Sequence, residues 1–341
     1  MRRKAPVRKN TKTMLITEAH FKALQRAFLT SHFDANETYF LERQLTQLRA
    51  KIFEIDFPPP LSRQFVPKAT DIAPSATTFA YQVYEPVGAA TFINYKSTDI
   101  PRVDTVTREV LGKVIPIGAA YGWDINELRE AARLNVQLSD MKLKAARDLI
   151  ERGIDKCVAL GTIADETGAL PDVGLTGLVN NPLVVTAGIL AGHWWFAGTP
   201  PTPDVILADL TALIGSIQNL SKNVYHADTL LLPTAHYSYA EQVPFSALTG
   251  ESILTVLKRN NPGLTLVAPW YLLDTAGAAG VPRAIAYQRD SMVLESIIPQ
   301  EFEVLPPEMH GFEVINNCHA RCGGTRIYRI LGIKYQDYPT S

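Results

Sequence analysis

The segment TFAYQVYEPVGAATFINYKSTDIPRVDTVTREVLGKVIPI, residues 78–117, decides how this chain folds. In its first part, Phe79, Tyr81 and Val83 alternate with small or polar residues, which is the pattern of a half-buried strand. A polar stretch, residues 94–104, separates this strand from a second strand-like run. The segment therefore predicts a long two-armed ribbon with a polar tip and no core of its own. Since an isolated hairpin is at best marginally stable in water, the ribbon must lie on another surface.

Two surfaces could receive this ribbon: the rest of its own domain, or a neighbouring copy of the chain. The ribbon is long for an ordinary hairpin, and it carries charges of both signs. Charges of both signs are typical of contacts that set register between subunits, so the sequence favours the neighbouring copy. The candidate intersubunit residues are Lys96, Asp99, Arg102, Asp104, Arg108 and Lys113.

Residues 1–60 form a predicted N-terminal arm. Thr17 can cap one amphipathic helix, and a second begins near Asn36 with leucines spaced three and four residues apart. A run of three prolines, residues 58–60, ends the second helix because proline removes backbone donors. The prolines that follow predict an extended crossing segment up to residue 77.

The start of the arm is strongly basic and contains no acidic residue up to Thr13. Two interpretations stay open: a solvated tail, or an arm that contacts nucleic-acid phosphates without reading sequence. The absence of an aromatic residue before Phe21 suits phosphate contacts better than base stacking. The candidate DNA-facing residues are Arg2, Arg3, Lys4, Arg8, Lys9 and Lys12.

Beyond the ribbon, helices alternate with short strands, which predicts a mixed α+β fold. Asp124 and Glu127 have the spacing of a capping box for a first helix. A longer helix follows up to about Leu160, and its predicted inner face is Met141, Ala145 and Leu149, with Ala146, Ile150, Ile154 and Val158 alongside. The remaining predicted elements are a helix at 203–223, a buried strand at 229–232, short helices at 235–241 and 252–259, and strands near 264–268, 284–288 and 302–305.

Composition and motifs favour an assembly protein over an enzyme. The chain is 46% hydrophobic and 20% charged, with a net charge of −1, so it can build a real core. Cys318 and Cys322 are the only close pair of soft ligands, but a zinc site needs three or four, so we interpret them as structural. An SxxK at 139–142 lacks its companion motifs. We therefore predict no cofactor, no metal and no membrane-spanning run.

Five segments, in this order along the chain, carry a family resemblance: FLERQL at 40–45, DIPRVD at 99–104, GLTGLVNNP at 174–182, ADTLLLP at 227–233 and ARCGGTRI at 320–327. With them the whole chain resembles the major capsid proteins of tailed bacteriophages, which have the fold named after phage Hong Kong 97. It is also similar in layout to encapsulin shell proteins.

The resemblance implies a domain organisation. Residues 1–60 would be the N-terminal arm, and 61–123 the crossing segment and extended loop. Residues 124–227, together with 303–341, would form a peripheral domain that contains the long spine helix, and 228–302 an axial domain.

The function that the resemblance implies is a major capsid protein that self-assembles into the icosahedral head of a tailed double-stranded DNA phage. Its partners would be other copies in hexamers and pentamers, packaged DNA, and portal, scaffold or decoration proteins. It would be a virion component assembled in the host cytoplasm. The alternative is an encapsulin-like compartment that encloses cargo enzymes, and a third class is an enzyme with an unrecognised site. Shells of both kinds share one fold, so sequence alone does not separate the first two.

Overall fold

A computed structural model of the chain shows how these elements pack. The helices predicted in the arm, the basic residues before Thr13 and the tip of the ribbon with Lys96 and Asp99 all lie outside the described residues. The structure describes residues 58–93, 101–134, 138–163, 173–189, 193, 195–196, 200–246 and 250–338.

One sheet underlies the long helix of the chain. Strand β3 (Ile115–Asp124) pairs antiparallel over ten residues with β11 (Glu313–Cys322). Strands β9 (Gln300–Val304) and β10 (Glu308–His310) pair with the other edge of β11. Helix α3 (Leu138–Leu160) packs on β3 and β11, and it follows the shorter helix α2 (Ile125–Leu134).

A second sheet has five strands, in the order β4 (Thr186–Gly188), β13 (Ile333–Asp337), β7 (Arg283–Tyr287), β5 (Thr229–Leu232) and β6 (Leu266–Pro269). Helix α4 (Pro203–Ser221) was predicted for the peripheral domain, but it shares one buried core with strands of the predicted axial segment. The boundaries between those two domains stay a prediction. Two shorter helices, α5 (Thr234–Gln242) and α6 (Ile253–Asn260), follow β5 along the chain.

The predicted inner face of the long helix is wrong in part. Met141 and Leu149 are 40% and 56% exposed, whereas the adjoining row, which includes Ile150 and Ile154, is buried against the sheet. Both rows are apolar and lie side by side on the helix, so periodicity indicates a wide apolar stripe without selecting the half that meets the sheet. The helix itself ends at Leu160, as predicted.

The crossing segment contains a one-turn helix, α1 (Ser62–Phe65), where an extended path was predicted. It is fixed to α3 because the backbone N–H groups of Leu61 and Ser62 both donate to Asp155 Oδ1, at 3.0 and 2.7 Å. Burial raises the pKa of Asp155, although these bonds act in the opposite direction. At the other end of the turn, the Tyr287 hydroxyl donates to the Phe65 carbonyl at 2.7 Å.

The last turn of α3 is capped by segments that are distant in sequence. The final carbonyls of a helix have no partners within the helix and must find them elsewhere. Here a glycine-marked loop, residues 174–182, and strand β12 (Thr325–Ile327) supply most of the donors. The bonds are Gly161 N to Cys157 O, Leu178 N and Thr325 Oγ1 to Val158 O, Val179 N to Ala159 O, and Asn180 Nδ2 to Leu160 O.

Gly177 makes this capping possible, since a Cβ on it would lie against the carbonyl of Ala159, well inside contact distance. We therefore expect Gly177→Ala to lower the free energy of unfolding by about 1–3 kcal/mol, the usual cost of overpacking. Gly263→Ala is the matched control, because no atom lies within 4 Å of its added methyl group. Urea denaturation of both variants checks the difference, and equal stabilities would contradict the assigned role.

Candidate intersubunit ribbon

The predicted two-armed ribbon is confirmed. Strands β1 (Thr78–Val87) and β2 (Asp104–Lys113) pair antiparallel along their full length. The second arm was predicted to run without a break to Ile117, but it is divided at Val114. Val114 is buried, and its N–H donates to the Thr77 carbonyl, so the chain leaves the ribbon there and enters the sheet as β3.

The two faces of the ribbon differ in character. Phe79, Tyr81 and Val83 point to one face, here called the underside, and are half-buried against the body of the subunit. Further out, the same face continues with Val87 and Val106, each 53% exposed. The opposite face is exposed and mostly polar, but it also carries Tyr84 and Leu111, which are 64% and 70% exposed. The underside thus begins as part of the subunit core and ends as an uncovered surface, on which Val87 and Val106 lie opposite Asp104 and Glu85.

The base of the ribbon is anchored by Arg326 of β12. Its guanidinium lies 5.4 Å from the ring centre of Tyr81, and its Nη2 donates to the Leu111 carbonyl at 3.4 Å. Tyr81 also packs edge-to-face on Tyr328, with ring centres 4.8 Å apart. The Tyr328 hydroxyl donates to Glu295 at 3.2 Å, and burial raises the pKa of both groups. Both strands of the ribbon are therefore tied to the end of the chain.

Two glycines allow the close approach at this base. The ring of Phe79 covers Gly112, its partner across the two strands, at a distance that leaves no room for a side chain. A Cβ on Gly323 would lie 2.9 Å from the Lys113 carbonyl and 2.8 Å from Ile297. Gly323 therefore serves contact with the ribbon, while Gly324 has the positive φ of 73° that turns the chain.

The structure separates the candidate charged residues instead of gathering them. Arg102 is exposed beyond the ribbon strands, and Asp104 accepts a hydrogen bond from the N–H of Thr105. Arg108 lines a cavity of about 250 Å³ between the ribbon and the body, together with Arg326. Lys113 lies at the base, beside the glycine-marked loop. An intersubunit role for these residues stays a prediction.

Sequence reasoning missed the anchor itself. Arg326 and Tyr81 are separated by 245 positions, and nothing in either local pattern indicates the other. The only signal was the run of glycines before a strand, which indicates close backbone approach without identifying what approaches.

Replacing Arg326 tests the anchor. Arg326→Met keeps the apolar stem but removes the hydrogen bond to the Leu111 carbonyl and the cation–π contact with Tyr81, the latter worth about 0.5–2 kcal/mol. Amides at the base of β1 should therefore exchange with solvent several-fold faster. Arg329→Met, at an exposed position on the same segment, should leave exchange unchanged. Hydrogen exchange with mass spectrometry measures both, and unchanged exchange in both variants would contradict this anchor.

The cysteine pair does not form a metal centre. Cys318 and Cys322 are both buried on one face of β11, as the strand interpretation predicted. Four residues of strand separate their backbones by about 13 Å, too far for both thiolates to reach one zinc ion. Among the residues that the structure describes, no group of three potential metal ligands occurs. Likewise, none of the described helices combines the length and the apolar character needed to cross a bilayer.

Comparison with solved structures identifies the fold. The capsid of Myoviridae phage XM1 is similar with a TM-score of 0.76 and 20% identity, over 88% of this chain and 98% of that chain. The Mycobacterium phage Ogopogo structure has a TM-score of 0.59 and 8% identity, over 86% and 97%. The capsid of the native GTA particle has a TM-score of 0.57 and 12% identity, over 92% and 100%.

These matches share one architecture, so the predicted α+β, Hong Kong 97-like fold is confirmed. No curated protein matches the sequence significantly. A family model described as Major capsid protein matches residues 88–338, which is well over half of the chain. The family and the capsid structures do not favour the encapsulin alternative. This chain therefore belongs to the Major capsid protein family, and it is a structural protein of a tailed-phage head shell.

Proposed function

We propose that copies of this chain close into an icosahedral shell of hexamers and pentamers, in which each ribbon lies underside-down on a neighbouring subunit. The observation that carries the proposal is the underside, whose apolar side chains are covered by the subunit at the base and left exposed further out, at Val87 and Val106. Contiguous apolar surface left exposed on a soluble protein is typical of a protein–protein contact. The exposed large apolar residues are Val87 and Val106 on the underside, Tyr84 and Leu111 on the opposite face, and Phe92, Ile93 and Val103 beyond the paired strands.

The charges near the tip have a separate role in this proposal. Solvent-exposed charges contribute little to affinity, but they suppress wrong pairings and fix register. Arg102 and Asp104, with Lys96 and Asp99, would thus select the correct position on the neighbour while the apolar underside supplies the binding energy. In the same arrangement, residues 228–302 would form the axial domain, whose tips meet around the five-fold and six-fold axes.

A pair of lysine substitutions on opposite faces tests the ribbon contact. Val106→Lys places a charge on the underside, next to Glu85 across the strands, so the subunit itself should stay folded. In the interface the new ammonium and the carboxylate of Glu85 would both lose their hydration, and a buried ion pair often does not repay that cost, so we expect shell yield to fall at least about tenfold. Thr107→Lys, one residue away on the exposed face, is the matched control and should assemble normally.

Negative-stain microscopy and sedimentation measure the assembly of both variants, and circular dichroism checks their folding. Normal shells from folded Val106→Lys protein would contradict the underside contact. Impaired shells from both variants would show that the ribbon tolerates no added charge, and the distinction between its faces would fail.

The arm supports a second part of the proposal: contact with packaged double-stranded DNA inside the virion. Six cations without a neighbouring acid suit phosphate binding, and they leave the remainder of the chain net acidic. Shells that assemble in the host cytoplasm would then fill with DNA through a portal, and scaffold or decoration proteins would be further partners.

Neutralising the arm tests this part. With Arg2, Arg3, Lys4, Arg8, Lys9 and Lys12 changed to glutamine, the salt dependence of DNA binding should weaken by about 0.9 in the log–log slope per lost phosphate contact. Shell formation, measured in parallel, should continue, so that failure of the DNA role and failure of assembly are distinguishable. Unchanged slopes, with normal packaging and retention of DNA, would leave the arm as a solvated tail.

A further inference from the structure

Two of the three cysteines, far apart in sequence, meet in the core of the subunit. Cys157 lies in the last turn of α3, and Cys322 ends strand β11, which packs against that helix. Both side chains are reduced and buried in the same hydrophobic cluster. Both cysteines line one cavity, and the N–H of Gly324 donates to Cys322 Sγ at 3.4 Å. The neighbouring Cys322 thiol, together with burial, raises the pKa of Cys157.

A cavity of about 180 Å³ lies beside the two thiols. Its lining includes both cysteines and the apolar side chains of Ile117, Ile163 and Leu175. Ile163 and Leu175 are partly exposed, so the cavity reaches towards the surface. A molecule of a few atoms fits such a space, whereas a peptide-sized thiol reagent does not.

Cys318 cannot replace Cys157 as the partner of Cys322. It lies on the same face of β11 as Cys322, at a backbone separation of about 13 Å. A disulfide requires Cα atoms within about 7 Å of each other, so these two cysteines of one strand cannot be linked. Cys318 does not line the cavity either. It is therefore an internal control of the same chemical type and similar burial.

We propose that Cys157 and Cys322 form a peroxide-reactive dithiol that closes to a disulfide across the junction of α3 and β11. One thiolate attacks hydrogen peroxide, the O–O bond breaks, and a sulfenic acid and hydroxide form. The second thiol then attacks the sulfenic sulfur, the S–S bond forms, and the sulfenic oxygen leaves as water. The balance is two thiols and one peroxide to one disulfide and two waters, with sulfur oxidised and peroxide oxygen reduced.

The position of this bond gives it a structural consequence. It would join the capped end of α3 to the strand that leads, through Gly323 and Gly324, to the anchor of the ribbon. A crosslink between such distant positions removes many conformations from the unfolded chain and stabilises the fold. A subunit that meets oxidant after release from a reducing cell would thereby become harder to unfold, with no change in its outer surface.

The test uses purified, fully reduced full-length protein treated with limited hydrogen peroxide. We expect the intact mass under non-reducing conditions to fall by two hydrogens and peptide mapping to link Cys157 to Cys322. The melting temperature should rise, and a reducing agent should reverse both changes. Cys318→Ser should behave like the wild type, whereas Cys157→Ser and Cys322→Ser should show neither the mass loss nor the rise.

Peptide mapping of the wild-type protein keeps the test decisive even if a serine variant fails to fold. An unchanged mass, oxygen addition without a crosslink, a link that includes Cys318, or a link between two chains would each overturn the proposal. A disulfide that forms without raising the melting temperature would overturn its structural consequence.

Discussion

The constraint on which the subunit depends is the need to satisfy the last carbonyls of helix α3. Val158 and Ala159 are fully buried, so water cannot serve their carbonyls, and a buried carbonyl without a partner costs free energy comparable to a lost hydrogen bond. The donors come from Leu178, Val179 and Asn180 in one loop, and from Thr325 in β12. Forming this helix end therefore brings together parts of the chain more than a hundred residues apart.

The same junction orients the ribbon. Thr325 donates to α3, and the next residue, Arg326, stacks on Tyr81 of the ribbon, so the capping strand and the anchoring strand are one element. A ribbon fixed at its base leaves the body in a defined direction. A flexible hairpin would lose that freedom on binding and would bind more weakly for the same contacts. The buried helix end thus contributes indirectly to a contact between subunits.

Local patterns predicted most of the elements and few of their contacts. The long helix, the buried strand at Thr229 and both arms of the ribbon follow from periodicity and from glycine and proline positions. The face of α3 did not, because two apolar rows lie side by side and the sheet selects one. The approach of Cys157 to Cys322 and of Arg326 to Tyr81 depends on topology, which no local pattern encodes. Family resemblance identified the fold, but not these side-chain contacts.

Register explains how the ribbon can expose the valines of its underside and still keep them on one face. In a two-stranded ribbon, a slip of one residue would turn the underside of one strand outward, since side chains alternate between faces. Phe79 fills the space over Gly112, and no other position of β2 is a glycine, so a slipped pairing would force this ring against a side chain. The base therefore fixes the register for all ten pairs. Val106, far from any core, faces the same way as Tyr81 because of a contact made at the opposite end of the ribbon.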